Sequence, residues 1–157
     1  MVNIRGCTTD DLAGLLDLYR ELRPHDPPLS GEGARTALEA LLADPRVRLI
    51  MAEVDGELAA TCQLGMVPTL TNGARPFGII EHVITATRFR RRGLSQRVLE
   101  QALAIAWEQD CYKVMLLSGE GREGAHRLYE KLGFKAGIER GFVIKQADVE
   151  KQGASPR

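Results

Sequence analysis

The sequence predicts a single α/β (α+β) domain built on a mixed, mostly antiparallel sheet. Its 157 residues, 44% of them hydrophobic, suffice for one globular core and leave no room for a second large domain. The dipeptide Asp55-Gly56 joins two apolar runs, which is a strong signal for an antiparallel hairpin. A strand, a helix and a strand then follow one another between Phe77 and Leu117, and this order favours a parallel β-α-β unit.

The first half of the chain predicts a strand, two helices and a hairpin. Thr8 and Asp11 have the spacing of a helix-capping pair, and leucines then recur at intervals of three and four residues until Pro24 ends the pattern. A second apolar stripe stops at Asp44-Pro45. The predicted elements are a strand at Val2–Arg5, helices over about Leu12–Leu22 and Glu32–Ala43, and hairpin strands at Val47–Val54 and Leu58–Met66.

The second half predicts the β-α-β unit and a C-terminal region of short elements. The strand from Phe77 to Ala86 is apolar apart from Glu81 and His82, so we expect it to be central in the sheet. After it come a helix at Gly93–Gln109, a strand at Tyr112–Leu117, a helix at Ala125–Leu132 closed by Gly133, and short strands around Phe134–Ile138 and Gly141–Lys145. The domain is predicted to span residues 1–147, with a disordered polar tail over 148–157.

Composition and charge exclude several classes of protein. The 21 basic and 21 acidic side chains cancel, which argues against a protein that wraps nucleic acid. The N-terminus lacks the apolar segment of a signal peptide and no run approaches 18 uncharged apolar residues, so we expect a cytoplasmic protein without a membrane partner. Cys7, Cys62 and Cys111 lack C-x-x-C spacing, which predicts reduced, buried thiols and no metal site.

The most informative segment, residues 83–96, passes from a buried strand through a basic loop directly into a helix. Unpaired N–H groups and the positive end of the helix dipole bind anions at such a junction, and Gly93 lets the backbone approach closely. Five arginines add positive charge: Arg88, Arg90, Arg91, Arg92 and Arg97. They can alternatively form a solvated basic face or a nucleic-acid patch, but no aromatic ladder accompanies them. The junction therefore predicts a phosphate or pyrophosphate site.

Arg90, Gly93 and Ser95 at this junction resemble the Gln/Arg-x-x-Gly-x-Gly/Ala motif of the GNAT superfamily of acyl-CoA-dependent N-acetyltransferases. Ser95 departs from the usual glycine or alanine but is small enough to admit a pyrophosphate. Residues 111–117 resemble the fifth strand of the subgroup that contains glucosamine-6-phosphate N-acetyltransferases, and residues 125–134 resemble the superfamily's final helix and strand. The resemblance implies a GNAT-like sheet with a β-α-β acyl-CoA-binding core and helices on both faces.

The resemblance implies acetyl-CoA as the co-substrate. Its pyrophosphate is expected on the amides of residues 91–95, and its pantetheine arm along the backbone of residues 83–85. Arg122 stands where the superfamily often has an asparagine, and its side chain can reach a cofactor phosphate. The expected cofactor-binding residues are Val83, Ile84, Thr85, Arg90, Arg91, Arg92, Gly93, Leu94, Ser95, Arg122 and Tyr129.

Acetyl transfer to an amine needs a base, an oxyanion donor and an acid for the leaving thiolate. Glu81 is the candidate base, directly or through water, because a carboxylate in an apolar strand needs a function or a structural partner. The resemblance implies the backbone N–H of Val83 as the oxyanion donor and Tyr129 as the acid. His82 is a further candidate base, although strand alternation sends it to the face opposite Glu81 unless a bulge intervenes.

The expected reaction is direct attack of a primary amine of a small polar substrate on the thioester of acetyl-CoA. The resemblance implies a homodimer and an acceptor pocket formed by Tyr19, Arg20, His25 and Asp26. One alternative is a noncatalytic acyl-CoA-binding or sensor module, which keeps the phosphate turn and loses the acid and base. A second is dinucleotide binding, because Gly119-x-Gly121-x-x-Gly124 matches that fingerprint, but only 33 residues follow it.

Overall fold

The structure, a computed structural model, describes residues 1–119 and 121–153 and divides into two units, one ending at Leu116 and the other beginning at Leu117. The first unit contains one five-stranded sheet in the order β1-β2-β3-β4-β5. The strands are β1 (Val2–Gly6), β2 (Val47–Val54), β3 (Glu57–Val67), β4 (Phe77–Thr85) and β5 (Val114–Leu116). All neighbours are antiparallel except β4 and β5, which are parallel. The predicted fold class is therefore confirmed.

Helices cover both faces of this sheet, as predicted. They are α1 (Leu12–Leu22), α2 (Gly31–Ala43) and α3 (Leu94–Glu108). On one face, Leu15 of α1 and Leu38 of α2 form a buried cluster with Leu49 and Met51 of β2. On the other face, α3 packs on β2 and β3, and the thiol of Cys62 lies 3.5 Å from the carbonyl oxygen of Val98. Because successive strand residues point to opposite faces, one apolar sheet can support both helical layers.

The hairpin between β2 and β3 turns at Asp55-Gly56, as the sequence predicts. Both residues have positive φ, 49° at Asp55 and 85° at Gly56. Two consecutive left-handed residues define the type I′ turn, whose twist matches that of the flanking strands. Val54 consequently lies opposite Glu57, and this pairing sets the register at the start of the hairpin.

A partly buried ion-pair network connects β1, the start of α1 and β2. Arg5 donates two hydrogen bonds to Asp11, of 2.7 and 2.8 Å, and a third of 2.6 Å to Glu53. Asp11 also accepts a 2.8 Å hydrogen bond from the backbone N–H of Thr8, which confirms the predicted capping pair. The hydrogen bonds from Arg5, followed by the backbone bond from Thr8, hold the pKa of Asp11 below its ordinary value although burial opposes them.

The described part of the second unit contains two helices, α4 (Glu123–Lys131) and α5 (Gln146–Gly153). The two short strands predicted at 134–138 and 141–145 are wrong, because neither segment is a strand in the structure. Gly133 and Gly137 have φ values of 102° and 77°, so the chain turns there instead of extending. Phe142 to Ile144 are between 68% and 87% exposed, so they lack the alternation of buried and exposed side chains that a strand on a core would have.

Helix α5 lies where the sequence predicts a disordered tail from residue 148. Its first turn is closed reciprocally, since the Asp148 carboxylate accepts a hydrogen bond from the N–H of Lys145 while the N–H of Asp148 donates to the Lys145 carbonyl. Such a cap supplies partners that a helix start otherwise lacks. Residues 154–157 of the predicted tail lie outside the described residues, and the domain boundary at 147 stays a prediction. Within the described ranges, no helix is long and apolar enough to cross a membrane.

Replacing Asp11 with Asn is expected to lower the free energy of unfolding by about 2 kcal/mol, because it removes charged hydrogen bonds from a buried carboxylate. The Asp11 pKa is depressed in the folded state, so its contribution is present above the unfolded carboxyl pKa and is lost as pH falls through the folded value. Urea unfolding at several pH values checks this, with the exposed neighbour Asp10→Asn as the matched control. Equal stability of the two variants at neutral pH would contradict the role of the network.

Candidate functional site

The register between β3 and β4 slips by one residue in the middle of β4. Thr61 lies opposite Ile84 and Gln63 lies opposite Glu81, so two β4 residues, at 82 and 83, share the space opposite one β3 residue. The first of them, His82, has a φ of 55°. This arrangement is a β-bulge, which bends the strand and redirects its side chains. The bulge that the sequence left open is therefore present, and simple alternation no longer places Glu81 and His82 on opposite faces.

Helix α1 brings predicted acceptor residues to this bulge. The ring of Tyr19 lies 5.8 Å from the His82 ring, with an interplanar angle of 61°. Burial raises the pKa of Tyr19 to about 12, so its hydroxyl stays protonated at neutral pH. Arg23 donates a 2.7 Å hydrogen bond to Asp26, which chiefly raises the Arg23 pKa, and the charge of Glu81 adds to the effect. Of the four predicted acceptor residues, Tyr19 contacts the bulge directly and Asp26 forms an ion pair with Arg23.

The other predicted acceptor residues and the candidate base are solvent-exposed. Arg20 forms a 2.6 Å ion pair with Asp17 in which both side chains are exposed, and His25 lies in the exposed segment after α1. Glu81 is exposed as well, which differs from the expectation of a carboxylate enclosed in an apolar strand. It lies opposite Gln63, directly before the two bulge residues.

One edge of β4 is unpaired beyond Ile80. The parallel pairing with β5 covers only Gly78 to Ile80, while β4 continues to Thr85 along β3. The N–H of Ala86 donates to the Ala59 carbonyl of β3 at 2.8 Å. Because bonded and non-bonded pairs alternate in an antiparallel ladder, Ile84 also faces β3, and the backbone of Thr85 faces the open edge. No other strand among the described residues pairs with that edge.

The chain then enters the basic loop that the sequence singled out. A 3₁₀ turn at Thr87–Phe89 leads to Arg90, and Arg91 and Gly93 follow with left-handed φ values of 66° and 71°. Left-handed residues that alternate with ordinary ones turn successive N–H groups toward one side, which creates an anion-binding concavity. Helix α3 begins immediately afterwards, so its unpaired first N–H groups add to this concavity.

Two of the arginines in the loop are held against an aromatic ring. The guanidinium groups of Arg88 and Arg92 lie 4.9 and 5.3 Å from the centroid of the Phe89 ring, which is itself buried. Arg88 also forms a 3.3 Å ion pair with Glu57. Such contacts restrict the side chains and hold positive charge beside the loop. Arg90 and Arg91 are exposed.

Ser95, the departure from the family motif, has a structural explanation. Its hydroxyl shares a 2.5 Å hydrogen bond with the hydroxyl of Thr85 at the end of β4. The extra polar atom is therefore occupied within the protein, and it joins the strand to the first turn of α3.

The remaining predicted site residues belong to the second unit. Arg122 immediately precedes α4, and its carbonyl accepts a hydrogen bond from the N–H of His126. The His126 ring lies 3.1 Å from the Gly119 carbonyl oxygen. Tyr129 is partly buried, with its ring 6.1 Å from that of Phe134. Gly133 follows α4 with a left-handed φ, as predicted for a residue that ends a helix.

Sequence reasoning missed three polar residues. The carboxylate of Glu21 accepts two hydrogen bonds from Thr87, across a separation of 66 residues. No local pattern signals a contact over that distance. The hydroxyl of Ser118 is buried without a hydrogen-bond partner among the described residues, which is uncommon for a buried polar atom.

The cysteines take no part in these arrangements. All three are free, Cys62 and Cys111 are buried, and Cys7 is partly buried. Burial raises the pKa of Cys62 to about 12 and that of Cys7 to about 11, so these thiols stay protonated at neutral pH. Residues 1–119 and 121–153 contain no group of three or more potential His, Cys, Asp or Glu metal ligands.

Comparison with known proteins identifies the class to which this site belongs. Residues 14–134 match the acetyltransferase (GNAT) family, and the chain belongs to that family. It is an acetyl-CoA-dependent N-acetyltransferase, and acetyl-CoA is its co-substrate. The dinucleotide alternative fails because the mixed sheet lacks the doubly wound parallel order that it requires.

Among characterised relatives, the chain is similar to a glucosamine 6-phosphate N-acetyltransferase of Trypanosoma brucei brucei, with 31% identity over 86% of this chain and 90% of that protein. It is also similar to an aminoglycoside N(6')-acetyltransferase type 1 of Serratia marcescens, with 29% identity over 82% of this chain and 88% of that protein. A solved putative acetyltransferase from Agrobacterium tumefaciens str. C58 is 40% identical, with a TM-score of 0.87 over 92% of this chain and 99% of that one.

Replacing Gly93 with Val is expected to abolish acetyl-CoA binding while the protein still folds. A Cβ at Gly93 meets no atom within 4 Å, so the substitution strains a φ of 71° and projects into open space in front of the amides. Gly73→Val is the matched control, because Gly73 has a φ of 70° and equally open space in the loop between β3 and β4. Titration calorimetry with acetyl-CoA on both variants checks this. Normal affinity in folded Gly93→Val would show that the phosphate turn lies elsewhere.

Proposed function

We propose that this enzyme transfers the acetyl group of acetyl-CoA to a primary amine of a small polar substrate of the amino-sugar class, by direct attack of the amine on the thioester. The observation that carries the proposal is the bulged, half-unpaired strand β4 running into the arginine-rich loop before α3. The similarity to enzymes that act on glucosamine 6-phosphate and on aminoglycosides supports the substrate class.

In this proposal the cofactor lies along β4 and the loop that follows it. Backbone N–H groups of residues 91–95 bind the pyrophosphate, with Arg90 to Arg92 adding charge. The pantetheine arm forms hydrogen bonds with the open strand edge, for which the outward-facing backbone of Thr85 is well suited. Arg122 and Tyr129 are proposed for the cofactor on the family resemblance.

The chemistry requires two proton transfers and one hydrogen bond that stabilises the developing negative charge. The neutral amine attacks the thioester carbonyl, and the N–H of Val83 donates a hydrogen bond to the developing oxyanion. Glu81 accepts the proton of the amine, directly or through a water molecule. The carbon–sulfur bond then breaks, and Tyr129 donates a proton to the departing thiolate, whose pKa is close to that of a phenol. His82 is the alternative base, since the bulge removes the strict alternation that would place it on the face opposite Glu81.

The acceptor is proposed to bind where α1 meets the bulge. Tyr19 offers a protonated hydroxyl beside His82, while Asp26 and Glu81 supply negative charge for an ammonium group. Arg20 and Arg23 carry the positive charge that a sugar phosphate requires, and His25 lies in the same loop as Asp26. Mixed charge of this kind favours an acceptor that carries both an amine and anionic or hydroxyl groups.

Two further expectations stay predictions. The family resemblance implies a homodimer, and the exposed apolar residues Phe142 to Ile144 are suited to a partner surface. The cytoplasmic location rests on the sequence alone.

The proposal is tested first by the thermal shift of the protein with acetyl-CoA, using NAD as the control ligand. At a ligand concentration about a hundred times the dissociation constant, binding stabilises the fold by about 2.7 kcal/mol, or roughly 5 to 11 °C. Release of the CoA thiol is then measured with glucosamine 6-phosphate, with an aminoglycoside and with glycine. Turnover with glycine alone would contradict the amino-sugar class, and a shift with NAD but not with acetyl-CoA would contradict the cofactor.

Replacing Glu81 with Gln is expected to lower kcat by about a hundredfold, and replacing Tyr129 with Phe to lower it similarly, because each removes one proton-transfer group. Neither change is expected to weaken acetyl-CoA binding, which separates a chemical defect from a binding defect. The comparison variant His82→Gln should keep most of its turnover. A large loss in His82→Gln with an active Glu81→Gln would transfer the role of base to His82.

A further inference from the structure

A contact between α1 and the cofactor loop is not explained by the proposed chemistry. Oε1 of Glu21, in the last turn of α1, accepts a 3.0 Å hydrogen bond from the backbone N–H of Thr87 and a 2.8 Å hydrogen bond from the Thr87 hydroxyl. Glu21 is exposed and is not part of the buried cluster that α1 and α2 form with β2. Its two hydrogen bonds therefore contribute little to the packing of the core. They restrain the conformation of the segment that begins at Thr87.

Thr87 is the first residue of the 3₁₀ turn that precedes the arginine-rich loop. The first N–H groups of a helical turn have no partner within it, and the residue before this turn is Ala86, whose methyl group cannot accept a hydrogen bond. Glu21 supplies the missing acceptor from a different helix. The side chains of Ala86, before Thr87, and of Phe89, after it, are buried. The turn is therefore restrained by these two buried side chains and, at exposed Thr87, by the hydrogen bonds to Glu21.

The negative charge of Glu21 does not favour phosphate binding at the cofactor loop. The hydrogen bonds from Thr87 are the main cause that holds its pKa below the ordinary value, and the charges of Arg90 and Arg88 act in the same direction. The carboxylate is therefore ionised at neutral pH, and the charges of Arg88 and Arg90 act on it. A negative charge there opposes the binding of a phosphate. Any benefit of Glu21 to cofactor binding must come from the geometry that its hydrogen bonds impose.

We propose that Glu21 is a positioning residue for the cofactor loop: by accepting both hydrogen bonds from Thr87, it fixes the turn that sets where the amides of residues 91–95 face the pyrophosphate. This inference rests on the proposed location of the pyrophosphate. The same helix packs Tyr19 against His82, so α1 contacts both the bulge and the loop that follows it. Helix α1 thereby sets the spacing between the acceptor surface and the phosphate turn.

The test separates the hydrogen bonds of Glu21 from its charge. Glu21→Ala removes both, whereas Glu21→Gln keeps an oxygen that can accept the same two hydrogen bonds and removes only the charge. Glu39→Ala is the matched control, because it removes an exposed carboxylate from α2 that forms only a 4.0 Å ion pair with Arg35. Titration calorimetry with acetyl-CoA measures the dissociation constant without requiring a known acceptor.

We expect Glu21→Ala to raise the dissociation constant of acetyl-CoA by about tenfold, in line with the loss of hydrogen bonds to a charged group. Glu21→Gln and Glu39→Ala should stay within about twofold of the original protein. Thr87→Val keeps the backbone N–H and loses the hydroxyl, so its dissociation constant for acetyl-CoA should be intermediate. Thr87→Ser keeps both groups and should bind acetyl-CoA as the original protein does. With an acceptor present, Glu21→Ala should raise the KM for acetyl-CoA and leave kcat within about twofold.

Two results would overturn the inference. A lower melting temperature of Glu21→Ala with unchanged acetyl-CoA affinity would assign the contact to stability alone. Tighter binding in both Glu21→Ala and Glu21→Gln would show that only the charge matters. Failure of the proposed phosphate site is recognised separately, by normal acetyl-CoA affinity in folded Gly93→Val.

Discussion

The partial pairing of β4 is the constraint on which the rest of the site depends. Parallel hydrogen bonding to β5 ends at Ile80, whereas β4 continues to Thr85 along β3. Backbone groups on such an edge need partners from water or from a ligand. The sheet therefore provides a line of donors and acceptors that requires no particular side chains. The bulge at His82 lies in the same stretch, and the arginine-rich loop follows directly, so one continuous segment carries most of the groups assigned to the cofactor.

The parts of the fold with local physical signals could be predicted from the sequence. Asp55-Gly56 predicted its hairpin because both residues tolerate left-handed backbone, and Pro24 correctly limited α1. The bulge could not be predicted, because register is a joint property of two strands and neither β3 nor β4 carries a sign of it alone. The strands expected around Phe134 and Phe142 fail for a related reason, since strand propensity has an effect only where a neighbour pairs with the segment.

The candidate site divides in the same way. The junction around Gly93 was recognisable because a basic loop between a strand and a helix start is a local pattern, and family membership supports that interpretation. The prediction of Glu81 as the base assumes that its carboxylate is enclosed in an apolar strand. Glu81 is instead exposed, so its candidacy now depends on its place beside the bulge. The contact between Glu21 and Thr87 joins residues far apart in the chain, and neither residue type is unusual at its position.

The hydrogen bond between Thr85 and Ser95 closes a ring around the whole arginine-rich loop. Its two ends lie only ten residues apart, so this hydrogen bond restricts the distance between the end of β4 and the start of α3. Ring closure removes conformations from the free enzyme, and a ligand that binds a restricted loop loses less ordering entropy. Because of this ring, the number of residues between Thr85 and Ser95 is more tightly constrained than the identity of their side chains. Arginines within it can be exchanged while the ring stays closed, whereas an inserted residue has to be accommodated inside a loop of fixed span.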